Sequence, residues 1–176
     1  MAKKRHIASK LLLNRSGLKV LDIGSGWGGL ALEIAARTDA NVLGVTLSTE
    51  QLAVARNRAS ASGLKDRCTF ALRDYRQIDG AFDRIVSVGM FEHVGIGYYD
   101  AFFTKMRELL TPEGFALLHF IGRSDGPNAI NPWIADLSSH RPRVIQAIFW
   151  VEADNNETII RCRIETRLRQ CSRRDG

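Results

Sequence analysis

The stretch from Lys19 to Gly29, KVLDIGSGWGG, constrains the fold more than any other part of the chain. An apolar run, VLDI, stops at a glycine-rich turn, Gly24-Ser25-Gly26-Trp27-Gly28-Gly29, and the helical pattern LALEIAA follows at once. Strand, tight turn and helix in that order present backbone N–H groups and the positive end of a helix to a polar or anionic ligand. Glycines there permit positive φ and let a ligand lie against bare backbone. The layout points to a nucleotide-like cofactor. The spacing G-x-G-x-G-G lacks the second residue before the last glycine of the dinucleotide fingerprint, so this turn alone leaves a purely structural role open.

The pattern repeats downstream. NVLGVTL (41–47) is a nearly continuous apolar strand, as in a sheet buried on both faces. Ser48 with Gln51 reads as a capping box opening a helix that Gly63 stops. RCTFALRD (67–74), FDRIVSVG (82–89) and GFALLHFI (114–121) read as three further strands, with a helix over 98–110 ending before Thr111-Pro112 and an amphipathic helix over 4–14. Strands alternating with helices over short connections imply an α/β, doubly wound, mostly parallel sheet, with ligands beyond the carboxyl ends of its strands. After about residue 134 the pattern changes. Two runs flank Asp154-Asn155-Asn156-Glu157, and Ile160, Cys162 and Ile164 alternate with charged residues, which predicts an antiparallel hairpin that could finish the sheet.

Charge is concentrated at the ends. Of the net +6, residues 1–10 and 161–176 carry +4 each, leaving −2 for the body. Such ends are solvated, or touch an anionic membrane surface; a nucleic-acid partner ranks last. No apolar run is long enough to span a bilayer and no secretory signal follows the basic start, so a cytoplasmic location, including the inner membrane surface, is expected. Three cysteines without a C-x-x-C pair and four scattered histidines argue against a disulfide framework and a metal site; Cys68 reads as a small buried hydrophobe.

Several side chains fall at or just past strand ends: Thr46 and Leu47 with nearby Gln51, Asp74 and Tyr75, Glu92, and His119. The second strand ends without a carboxylate, against a nicotinamide cofactor. Asp74 and Tyr75 suit an adenine, one accepting from its amine and the other stacking, or form a simple turn. Glu92, directly after an apolar strand, is expected to be partly desolvated and fitted to proton work, or else to complement a helix dipole. His119 is either a core histidine or a site residue. Trp27, Phe91, Tyr98 and Tyr99 are candidates to line an apolar pocket or face a cation, or to be core.

At this point the residues resemble a known family. KKRHIASKLLL, VLDIGSGWGGLAL, VLGVTLSTEQLAVAR, RDYRQIDGAFDRIVSVGMFEHVG, YYDAFFTKMRELLTPEGFALLHFIGR and NPWI, in order over about residues 3–134, are similar to the cyclopropane-fatty-acyl-phospholipid synthases and mycolic acid cyclopropane synthases. The resemblance implies a class I methyltransferase fold with S-adenosylmethionine on Gly24, Ser25, Gly26 and Gly28, beside Thr46, Leu47 and Gln51, and adenine near Asp74 and Tyr75. It implies a bicarbonate ion as catalytic base, held by Glu92, His119 and the main chain of Ile121, and a methylene added across a cis double bond of an unsaturated phospholipid acyl chain. Family members are commonly longer. Their amino-terminal segment, their IFPGG stretch and a segment like LRLHYAET have no counterpart here, so residues 1–134 are expected to be a cofactor-binding core truncated at both ends, and 135–176 a divergent segment with a basic tail that a shifted reading frame would explain. Two other readings stay open: methylation of a small amine or other acceptor, and binding of S-adenosylmethionine without catalysis.

Overall fold

The computed structural model describes residues 2–123, 144–154 and 157–164. The NPWI stretch at 131–134, the two residues at the expected hairpin turn and the basic tail lie outside the described residues.

Helix α1 (Ala2–Lys10) precedes β1 (Lys19–Ile23), α2 (Gly29–Arg37), β2 (Asn41–Thr46), α3 (Thr49–Ala61), β3 (Cys68–Leu72), β4 (Phe82–Val88), α4 (Tyr99–Leu109), β5 (Leu110–Arg123), β6 (Val144–Asp154) and β7 (Glu157–Ile164). Single 3₁₀ turns stand at Tyr75–Gln77, Phe91–His93 and Ile96–Tyr98. The strands form one sheet in the order β3-β2-β1-β4-β5-β6-β7. The first five are parallel, and β6 and β7 pair antiparallel with β5 and with each other. The expected parallel sheet finished by a hairpin is what the chain forms.

The chain winds outward from β1 to β3, returns, and winds the other way through β4 and β5. The order therefore reverses between β1 and β4, which opens a crevice past their carboxyl ends. The strands read as unbroken apolar runs because both faces are covered. Val20, Val42, Val86 and Leu117 pack under α1, α2 and α3, with Ile34, Ala35, Ala55 and Ala59. Their neighbours Leu21, Val45, Ile85 and Leu118 face the other way, against Phe102, Met106 and Leu109 of α4. The period of two along each strand and of three to four along each helix sets this division.

Element bounds follow local chemistry. β1 and α2 fall where the glycines punctuate the sequence. Helix α1 stops at Lys10, short of the expected residue 14. The buried Arg84 donates from Nε to the Leu11 carbonyl at 2.8 Å, and Leu12 turns the chain with φ of 46°. The guanidinium also lies 4.3 Å from the centroid of the Phe115 ring, so β4, β5 and the end of α1 are tied at one point. β3 ends at Leu72 rather than 74, because Asp74 accepts from the Arg76 N–H at 2.9 Å and starts a turn. β5 begins at Leu110, before Thr111-Pro112 rather than after it. Its register to β4 jumps from Phe82↔Leu110 to Arg84↔Phe115, so the proline sits in a bulge, where a missing N–H disturbs no ladder.

No helix among the described residues is long and apolar enough to cross a membrane, and no cluster of three or more His, Cys, Asp or Glu side chains suits a metal ion there.

Candidate functional site

The glycine turn is held from below by β2. The N–H groups of Gly24 and Ser25 both donate to the Val45 carbonyl, at 3.0 and 2.9 Å, and the Gly28 N–H donates to the Ser25 carbonyl at 3.0 Å. Its glycines do different work. A Cβ on Gly28 would lie 2.7 Å from the Phe70 ring, and one on Gly24 would lie 2.9 Å from Cβ and Cγ of Met90. Both positions are closed by packing. A Cβ on Gly26 would meet nothing within 4 Å, although φ there is 55°. Gly26 is thus the point in the turn where bare backbone faces open space.

Helix α2 starts directly behind. Its N-cap, Gly28, is left-handed and offers no side-chain cap. The Ala31 N–H is met instead by the carboxylate of Asp22. Asp22 shares the face of β1 occupied by Val20 and is 2% exposed, and its Oδ2 has no hydrogen-bond partner. Burial pushes its carboxyl up from 3.8 to about 7. Burial, and next the charge of Asp22, push the thiol of Cys68 up to about 12, so that cysteine is the inert core residue expected. Asp22 was not among the sequence-derived candidates. The signal was there: one carboxylate inside a strand buried on both faces, two residues before the glycine turn.

Past β2, the Thr46 hydroxyl donates to Gln51 Oε1 at 2.7 Å and accepts from the Ser48 N–H at 3.2 Å. Ser48 Oγ accepts from the Gln51 N–H at 3.1 Å. Only this half of the expected capping box forms, because the Gln51 side chain is turned to Thr46 instead of back to the Ser48 N–H. Leu47 is exposed. Past β3, Asp74 holds Arg76 with both oxygens, at 3.0 Å to Nε and 2.5 Å to Nη2, and the guanidinium keeps its carboxyl below the usual carboxylate range. Burial raises the phenol of Tyr75, whose ring meets Phe102 edge-on at 5.2 Å.

On the other side of the crevice, β4 ends with Val88 opposite His119 of β5, and the Gly89 N–H donates to the His119 carbonyl at 2.9 Å. His119 is buried. Backbone groups two residues apart on a strand point the same way, so the N–H and C=O of Ile121 face the β4 side just past the end of β4. The 3₁₀ turn Phe91–His93 follows Met90 there. Phe91 is buried, stacked on Tyr99 at 4.5 Å and tilted against Phe102 and Phe120, each at 5.1 Å. Phe91 is thus core, and the turn is fixed by its ring. Glu92, the next residue, is exposed, not partly desolvated as expected, because burying Phe91 directs its neighbour outward. Trp27 and Tyr98 are exposed too.

The structure therefore gathers the sequence-derived residues along one carboxyl edge. Contact of Gly24 with Met90 joins the glycine turn to the turn that carries Glu92. The buried orphan oxygen of Asp22, the open backbone of Gly26 and the start of α2, which has no side-chain cap from Gly28, fit a ligand with both donors and acceptors.

The sequence profile of the family described as mycolic acid cyclopropane synthetase matches residues 1–146. The cyclopropane-fatty-acyl-phospholipid synthase of Escherichia coli K12 is 47% identical over 133 residues, 76% of this chain and 34% of that protein. Cyclopropane mycolic acid synthase 1 of Mycobacterium tuberculosis is 41% identical over 106 residues, 60% of this chain and 37% of that protein. Among solved structures, the mycolic acid cyclopropane synthase CmaA1, complexed with SAH and CTAB, superposes with a TM-score of 0.65 at 38% identity, covering 69% of this chain and 42% of that one. The chain spans about a third of the length of these curated relatives. With the profile running from α1 into β6, the chain belongs to the mycolic acid cyclopropane synthetase family.

Proposed function

We propose that this chain forms the cofactor-binding core of an S-adenosylmethionine-dependent transferase that adds a methylene across a cis double bond of an unsaturated phospholipid acyl chain. The observation that carries the reading is the contact of the glycine turn, at Gly24, with Met90 of the turn bearing Glu92. It brings the glycine turn against the turn from the opposite half of the sheet that bears Glu92, which supports a cofactor and a polar group sharing one crevice.

Gly24, Ser25, Gly26 and Gly28 would hold the cofactor, with Thr46, Leu47 and Gln51 at one side and Asp74 and Tyr75 near its adenine. When bound, the cofactor supplies an electrophilic methyl group on a sulfonium. An alkene is a poor nucleophile, so the residues of the crevice act first by fixing the acyl chain in line and at contact distance. Transfer of that methyl group would break its bond to sulfur, release S-adenosylhomocysteine and leave positive charge on the acyl carbon. The half-buried rings of Tyr99, Phe103 and Phe120 around Phe91 offer π-faces to that charge and exclude water, which would trap it. Glu92, His119 and the main chain of Ile121 are the groups that would hold a bicarbonate ion, a compact base when bound. Loss of a proton from the new methyl group to that base would close the ring. Residues 1–134 suffice for the cofactor cradle in this reading. Peripheral contact with anionic lipid at the inner membrane surface would bring the substrate.

The exposure of Glu92 favours a second reading, binding of the cofactor without turnover. Titration calorimetry with S-adenosylmethionine and S-adenosylhomocysteine, followed by mass spectrometry of lipids from unsaturated phospholipid vesicles, separates the two. Binding that falls by about tenfold or more in Gly26→Leu, with lipid gaining one CH₂ as a ring, is the expected result. Binding without lipid product supports the second reading, a methylated amine supports a different acceptor, and no binding by folded chain sinks both.

A further inference from the structure

Seven large apolar side chains are exposed among the described residues, and five stand at the carboxyl edge of the sheet: Trp27, Leu47, Leu72, Ile96 and Tyr98. Single exposed hydrophobes need no explanation, but a concentration at one edge does. Its most prominent part is the turn Gly95–Tyr98. Ile96 is 77% exposed and Tyr98 is 64% exposed. A Cβ on Gly97 would meet nothing within 4 Å, and one on Gly95 only the Tyr98 ring at 3.8 Å. The turn therefore stands clear of the body, on a backbone that Gly95 bends at φ of 78°.

We propose that Gly95–Tyr98 is the part of this chain that enters the surface of a phospholipid bilayer, with Ile96 as the inserted tip and Tyr98 at the water boundary. The inference rests on the reading of the acceptor as a membrane phospholipid. A tyrosine suits that depth because its ring is apolar and its hydroxyl stays wet. Arg73 is exposed just past the end of β3, at the same carboxyl edge, and offers a cation to lipid phosphates, whereas Arg76 is held by Asp74. A bilayer fits better than a protein partner. A specific protein interface buries about 800 Å² on each side, far beyond two side chains on a turn, whereas an apolar tip enters lipid without needing a complementary surface. The turn also leads to the candidate site. Tyr99, the next residue, stacks on Phe91, whose neighbour is Glu92, so an acyl chain drawn out beside Ile96 meets the aromatic cluster first.

The test is flotation of the full chain with vesicles of phosphatidylethanolamine and phosphatidylglycerol. The double variant Ile96→Ser, Tyr98→Ser is expected to partition about tenfold or more weakly, from loss of two buried apolar groups. Ile96→Trp is expected to partition more strongly and to show tryptophan quenching by brominated lipid. Leu12→Ser removes an equally exposed side chain at the opposite edge, next to the Arg84 contact, and is expected to change nothing. The inference is overturned if the wild-type chain does not float, if the double variant floats as well as it does, or if Leu12→Ser loses as much. Flotation involves no turnover. Vesicle binding without cyclopropane product leaves this surface standing and removes the activity, while full turnover on vesicles by the double variant does the reverse.

Discussion

The half of the carboxyl edge built by β1, β2 and β3 presents mainly backbone, whereas the half built by β4 and β5 presents side chains. On the first half the geometry comes from φ values, from two N–H groups sharing the Val45 carbonyl and from the open space above Gly26. On the second it comes from Phe91, wedged among Tyr99, Phe102, Phe103 and Phe120, which fixes the turn carrying Glu92. A backbone-built cradle depends on a few glycines and tolerates change around them. A side-chain-built site depends on the packing of its neighbours, so damage there spreads. Each half is open to a specific test.

The largest effect is expected at Glu92. Glu92→Gln keeps the shape of the turn and removes the charge, and should lower turnover about 10²–10⁴-fold, the range for loss of general-base catalysis, because the proposed base would lose one of the groups that hold it. Affinity for S-adenosylmethionine should stay within about twofold, because the cradle lies on the other half. A joint loss of turnover and affinity would break the division between the halves.

Phe102→Ala comes next. Phe102 is fully buried and touches the rings of Tyr75, Phe91 and Phe103. Truncation should cost roughly 3–5 kcal/mol in chemical denaturation, by transfer and cavity terms together. Since Tyr75 stands past β3, on the half of the edge that carries the glycine turn, this is the variant in which both halves should suffer. A loss below about 1 kcal/mol would show that the aromatic cluster relaxes freely and does not fix the turn.

These halves were unequally legible in the sequence. Glycines with a positive φ leave a sharp mark, so β1 and α2 were bounded correctly and the turn between them recognised. The same reasoning failed at Thr111-Pro112, where a strand absorbs its proline in a bulge, and at residues 11–14, where Arg84, more than 70 positions away, takes the Leu11 carbonyl and ends the helix. Glu92 was placed at the right edge but given the wrong burial, since which of two adjacent residues turns inward depends on what packs beneath. Asp22 was hidden by its context: within an apolar strand a single carboxylate reads as an interruption, while in the fold it meets Ala31 of the helix behind the cradle.

Asp22 also gives the backbone half a pH signature. Its carboxyl is raised from 3.8 to about 7 in the folded chain. Between about pH 4 and pH 7 the folded state therefore holds a proton that the unfolded state has released. Stability from this group is full below pH 4 and is lost as pH rises through 7, with a ceiling of about 4 kcal/mol for a carboxyl moved that far. Denaturant midpoints at pH 5 and pH 8 should show this fall in the wild type and a flatter profile in Asp22→Asn. Equal slopes in the two proteins would mean that Asp22 is ionised in the fold and that its orphan oxygen is solvated.

The smallest effect separates cap from cradle within a single turn. Ser48 and Gln51 lie side by side, but Ser48 Oγ serves the N-terminus of α3, while Gln51 Oε1 receives the Thr46 hydroxyl at the end of β2. Ser48→Ala should cost about 1 kcal/mol of stability and leave cofactor affinity unchanged, because it removes a helix cap and the exposed hydrogen bond from Ser48 Oγ to Glu50, neither of which involves Thr46 or Gln51 Oε1. Gln51→Ala should do the opposite. The backbone cap at Ser48 survives, and Thr46 loses the acceptor that orients its hydroxyl toward or away from a ligand. Affinity should therefore change by a few-fold with little loss of stability. If both substitutions move stability alone, the β2 end is scaffolding, and the cradle is confined to the glycine turn, Asp22 and the start of α2.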